Sequence, residues 1–112
     1  MIEEIIIEYL SRALNVPCYM ERPDKDIPTR YVVIEKTGGS MNNHIEDATF
    51  AIQAYAGSMY SAAALNESVK RAMLDIIALD SIASCKLNSN YNYTDTSTKQ
   101  YRYQSVWDVV FY

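Results

Sequence analysis

Little in this chain is suited to covalent or metal chemistry. Among 112 residues there are one histidine, two cysteines and three glycines. A lone histidine, His44, has only Glu46 and Asp47 as nearby ligand candidates, and both read as solvated residues leading into a strand. Cys18 and Cys85 are far apart and in no metal spacing. They are expected as buried free thiols made in a reducing compartment, with a disulfide between them as the alternative. Gly38-Gly39 is a single pair after a strand with no helix behind it, which is not a phosphate-cradling loop. No serine sits in a nucleophile elbow. The carboxylates that could pair around a metal (Asp24, Asp26, Glu46, Asp47 and Asp95) all fall in expected loops or at strand starts. The expectation is no enzyme, no cofactor and no metal.

Other absences narrow the partners. No stretch approaches the ~18 uncharged apolar residues of a membrane span. The N-terminus carries Glu3, Glu4 and Glu8 without a basic start, so a secretory signal is not expected either. Lys and Arg number 10 against 14 Asp and Glu, a formal charge of −4, and no basic run occurs. That argues against a protein held to nucleic acid by its phosphates. Tyr101 and Tyr103 flank Arg102, but alternation along a strand sets Arg102 on the opposite face. The aromatic-basic surface of an RNA-recognition sheet is therefore missing. No internal repeat and no linker interrupts the chain.

What is present is apolar residues in quantity, 49% of the chain, enough for one domain with a genuine core. Ten tyrosines stand out. A large ring with a polar tip suits a protein interface, and it equally suits the outer face of a sheet.

Periodicity divides the chain. Ile2, Ile5, Ile6, Tyr9, Leu10 and Ala13 recur at helical spacing over residues 1–14. Acidic residues occupy the first turns, and Arg12 the last. Three consecutive isoleucines leave a strand as the competing reading. Asn15 suits a left-handed cap, and Pro17 stops any continuation. A short extended piece follows over 17–20, with Cys18 and Met20 facing one way, then a Pro- and Asp-rich loop over 21–30. Residues 31–36 read as a strand, ended by Thr37, Gly38, Gly39 and Ser40. A mobile polar loop of about ten residues is then expected before the next strand, long for a hairpin. In that strand Ala48, Phe50, Ile52, Ala54 and Ala56 share one face, while Thr49, Ala51, Gln53 and Tyr55 share the other.

Gly57 breaks the alternation, and Ser58 is suited to cap a helix. Ala62, Leu65, Val69, Ala72, Met73 and Ile76 form its apolar stripe. Asn66, Glu67, Lys70, Arg71 and Asp75 are expected to be wet. The helix is predicted over 58–77. Residues 81–86 begin another strand, 88–100 read as an exposed hairpin tip, and 101–112 form the last and longest strand. The order α-β-β-β-α-β-β predicts an α+β domain: a mainly antiparallel sheet of four to five strands with two helices packed on one face.

That order, with the wording Arg30-Tyr31-Val32-Val33-Ile34-Glu35-Lys36-Thr37-Gly38-Gly39 and Asp47-Ala48-Thr49-Phe50-Ala51-Ile52-Gln53-Ala54-Tyr55-Ala56, resembles the small tail-terminator and tail-completion proteins of long-tailed bacteriophages and prophages. The alanine-rich helix Ala62-Ala63-Ala64-Leu65 and a closing strand that begins Tyr101-Arg102-Tyr103-Gln104 extend the likeness to about Ile5–Val110. Phage head-tail joining proteins are neighbours in size and fold class. The resemblance implies a non-catalytic virion protein that assembles in the host cytoplasm. It would form a ring with itself, usually six-fold, cap the tail tube protein and present a surface to the head-tail connector protein. A monomeric module binding a small molecule or a nucleic-acid strand is the alternative.

The contacts are expected on two polar loops, Gly38, Gly39, Ser40, Asn42, Asn43 and His44 in the first, Tyr91 and Tyr93 in the second. Tyr101 and Tyr103 on the last strand complete the candidate interface. Long polar segments rooted in a sheet are held at both ends, and Gly, Ser, Asn and Tyr make adaptable contacts.

Overall fold

A computed structural model describes all residues 1–112. Its first element is α1, Ile2–Leu14. Asn15 closes it in the left-handed conformation, at φ 54°, as the cap chemistry anticipates. Ile2, Ile6 and Leu10 are the residues it buries. The buried stripe is rotated slightly from the expected one: Ile7 packs against the core, whereas Ala13 is exposed.

Five strands follow. β1 is only Cys18–Tyr19, β2 runs Tyr31–Asn42, and β3 runs Ile45–Ala56. After helix α2, Met59–Leu74, come β4, Ile82–Asn92, and β5, Tyr101–Phe111. The sheet order is β1-β2-β3-β5-β4. Only the β1–β2 pair is parallel. This is the α+β architecture that the hydrophobic pattern predicts. Both helices lie on one face, because a single cluster joins Ile6 and Leu10 of α1, Leu65, Val69 and Met73 of α2, and Phe50, Ile52, Trp107 and Val109 of the sheet.

Helix α2 obeys its stripe. Ser58 caps it, its side chain accepting from Ser61 N at 3.1 Å. Ala62, Leu65, Val69, Ala72 and Met73 are buried, as is Ile76 just beyond. Two expectations about this helix are corrected. It ends at Leu74 rather than residue 77, because the chain tightens into one 3-10 turn over Ile76–Ala78 before entering β4. Asn66, expected wet, is 1% exposed. It is buried because β4 reaches across with a polar partner: Asn66 Nδ2 donates to Asn90 Oδ1 at 2.7 Å. Its own Oδ1 has no partner.

The long loop expected between the first two main strands does not exist. β2 continues through Gly38, Gly39, Ser40 and Asn42, and pairing resumes at Asn42↔Ile45. Only Asn43 and His44 turn the chain, at φ 52° and 67°. Positive φ at both central residues is what a two-residue hairpin turn needs to match strand twist. The glycines do not end the strand. A Cβ on Gly39 would sit 2.6 Å from the carbonyl oxygen of Asp47, so this glycine lets the two strands approach. Likewise, Asn88 to Asn92 belong to β4, paired as far as Asn92↔Tyr103. The second tip is confined to 93–100, where Asp95 and Gln100 exchange backbone hydrogen bonds of 3.1 Å.

Candidate functional site

Four strands of eleven or twelve residues give the molecule its length, 45 Å against 24 and 23 Å in the other directions. The two hairpins point in opposite directions along it. Glu46 pairs with Phe111 at one end of the sheet, while Ala56 pairs with Tyr101 at the other. The Asn43-His44 turn is therefore at the first end and the 93–100 tip at the second. The expected contact segments are separate surfaces at opposite ends of one rigid sheet.

At the first end, the candidate residues Gly38, Gly39, Ser40, Asn42, Asn43 and His44 are all exposed. Ser40 is locked to the neighbouring strand. Its backbone N and its hydroxyl donate to Asp47 Oδ1 at 3.1 and 3.0 Å. Asp47 thus has a structural partner, and no three His, Cys, Asp or Glu residues gather as a metal-holding group anywhere in the chain.

The second end is built differently. The sheet face away from the helices carries a one-way chain of hydrogen bonds across three strands. Arg102 Nη1 donates to the Tyr55 hydroxyl at 2.9 Å, and Tyr55 donates to Gln53 Oε1 at 3.2 Å. Gln53 Nε2 donates to Gln104 Oε1 at 2.9 Å, and Gln104 Nε2 donates to the Tyr91 hydroxyl. Gln53, Tyr55 and Gln104 are buried although no layer of secondary structure covers them. The rings do the covering: Tyr31 and Tyr55 stack at 4.6 Å and 7°, and Tyr91 meets Tyr93 edge-on at 5.9 Å. Arg102 lies 4.3 Å above the Tyr93 ring, a cation–π contact, and its Nε donates to the Tyr93 carbonyl at 2.7 Å. The Tyr91 hydroxyl only accepts in this chain, so its own proton, on a ring half exposed at the edge, is free to offer a partner.

The four candidate tyrosines are therefore split. Tyr91 and Tyr93 share the uncovered face with Arg102. Tyr101 and Tyr103 pair with Ala56 and Ala54 and so belong to the helix face. Tyr103 borders a shallow depression with Tyr60, Ala63 and Asn66. The network residues Gln53, Gln104 and Arg102 were missed as site candidates. Their signal was available: polar residues at the outward positions of two strands that pair with each other.

A second groove of about 480 Å³ runs beside α1, lined by Ile5, Glu8, Tyr9, Arg12, Ala13 and Leu79. Its polar groups are already engaged. Arg12 donates to Glu8 at 2.8 Å, and the Tyr9 hydroxyl donates to the Ala72 carbonyl at 2.6 Å.

Both cysteines are free and half-buried. Burial pushes the Cys85 thiol up to about 11, with the Asp108 carboxylate adding to the rise, and burial raises Cys18 as well. Both shifts disfavour the thiolate, the reactive form, at neutral pH. Asp95 at the second tip is shifted the other way, below the usual carboxylate range, because Ser97 and Thr98 donate to it. No helix is long and apolar enough to cross a membrane. A scan of protein-family models finds no match to the chain, and a search among curated proteins finds none either.

Proposed function

We propose that this chain is a structural protein of phage tail assembly, a ring-forming tail terminator that caps the tail tube and joins it to the head connector. The sequence resemblance motivates the reading, and one observation supports it most: the two polar hairpin tips stand at opposite ends of a rigid 45 Å sheet. A terminator has two neighbours on opposite sides. Copies arranged around an axis along the strands would turn every Asn43-His44 tip to one rim and every 93–100 tip to the other. Many weak contacts then act together on each rim, which a closed ring converts into tight capping. A tip ordered by Asp95, Ser97 and the Tyr93–Arg102 contact loses little entropy on docking. In this reading the protein resides in the virion neck, after assembly in the host cytoplasm.

The test is genetic and visual. In the phage or prophage that encodes the chain, Asn43→Gly with His44→Gly strips one rim of its side chains while keeping the positive φ of the turn, and Tyr93→Ser alters the other. Electron micrographs should show two different failures, one in tube capping and the other in head joining, from variants that fold normally. Normal particles from both variants would refute the reading and favour the monomeric binding module.

A further inference from the structure

We propose that copies of this chain join edge to edge, the β4 strand of one copy pairing antiparallel with the outer half of β2 in the next. The proposal rests on the assembly reading and names its joint.

Both edges are open. β1 covers β2 only at Val32 and Val33, so the outer side of β2 from Glu35 to Asn42 has no strand beside it. β4 pairs with β5 alone along its whole length. Unpaired N–H and C=O groups in rows of this kind are a template for another strand. Strand direction fits without turning either copy over. Reading β2-β3-β5-β4 across the sheet, each neighbour is antiparallel to the last, so β4 and β2 run in opposite directions. A second copy set beside the first, facing the same way, continues the alternation.

Height fits as well. Following the pairing across the sheet, Ser84 is level with Ser40, Cys85 with Gly39, Lys86 with Gly38, and Leu87 with Lys36. Rotation about an axis along the strands preserves these heights. Pairing must stop where β1 occupies the lane beside Val32 and Val33, which is level with Tyr91 and Asn92. The β-bulge between Leu87 and Ser89 lies just before that point and can bend β4 away. Side chains agree with the pairing. Glu35 and Lys86 are exposed, unpaired by any ion within the chain, and two residue levels apart on the same face of opposite edges. Diagonal neighbours across paired strands are within reach of long side chains. Leu87 and Met41, 40% and 67% exposed, sit on the helix side of the two edges, where the joint would cover them. A contact between two different edges is heterologous, so it closes into a ring or runs on as a filament.

The experiment is disulfide trapping in the full chain with Cys18→Ser and Cys85→Ser. Gly38→Cys and Lys86→Cys are added together; Gly38 has open space where a side chain would go. Within one copy these positions are three strand spacings apart, about 14 Å, too far for an internal disulfide. Ser40→Cys with Ser84→Cys is the second pair, in case the first does not fold. Mild oxidation at rising protein concentration should give a ladder of cross-linked oligomers on a non-reducing gel, with neither single-cysteine variant passing beyond a dimer. Oligomers by light scattering without cross-links in either pair would overturn this joint and leave the assembly reading standing. A chain that stays monomeric and uncross-linked at every concentration would overturn both.

Discussion

Replacing Ser105 by alanine should cost far more than the loss of one oxygen suggests. Ser105 and Trp107 are both fully buried, and the indole Nε1–H donates to Ser105 Oγ at 2.8 Å. Both side chains point to the helix face of β5, where Trp107 stands level with Phe50 of β3. Alanine leaves the indole N–H without a partner and without access to water, which costs about 1–3 kcal/mol. For a domain of this size that is a fall in Tm of roughly 5–15 °C. A double-mutant cycle isolates the effect. Trp107→Phe removes the N–H, so Ser105→Ala should cost about 1 kcal/mol or more less in that background than in the wild type. Urea unfolding followed by far-UV circular dichroism suits all four proteins, and Trp107, the sole tryptophan, adds a fluorescence check where it is present. Equal costs in both backgrounds would mean that the hydrogen bond does not contribute and that the Trp107 orientation is wrong.

Other consequences follow from single contacts. Val69→Asp places an unpaired carboxylate in the centre of the main cluster and should unfold the domain, as a flat circular dichroism melt would report. Gly39→Ala should destabilise by about 1–3 kcal/mol through its clash with the Asp47 carbonyl, whereas Gly38→Ala, facing open space, should be close to neutral in the same melt. The raised thiols give a pH dependence. A folded pKa above the unfolded one holds its full stabilisation below the unfolded value, near 8.5, and loses it as pH rises through about 11 for Cys85. Stability should fall over that alkaline window, and native Cys85 should react with iodoacetamide at pH 8 much more slowly than in urea.

The elements carried by apolar periodicity were legible in advance. The α2 stripe, the core face of β3 and the alternation of β5 all bury as their spacing implies, since burying apolar area dominates each of those choices. The polar halves of β2 and β4 were not legible. Thr37 to Asn42 and Asn88 to Asn92 have little β propensity of their own. They are strands because β3 and β5 beside them are long and regular, and pairing overrides local preference. The turn hid for a related reason: His44 occupies a left-handed position where glycine would have announced a hairpin. Asn66 on α2 shows the remaining blind spot. On a helical wheel it is a surface residue, and only Asn90, twenty-four positions later, makes its burial tolerable. The candidate site suffered most from this, because its tyrosines were grouped by sequence while the sheet divides them between two faces.

The central proposal is that the chain acts by assembling with itself. The mass of the purified protein by light scattering, over a wide concentration range and again with the phage tail tubes that the proposal assigns to it, tests it most directly. The account predicts a discrete oligomer, a fixed multiple of the single-chain mass, that binds tube ends. A single-chain mass at every concentration, with no binding to tubes, would contradict it.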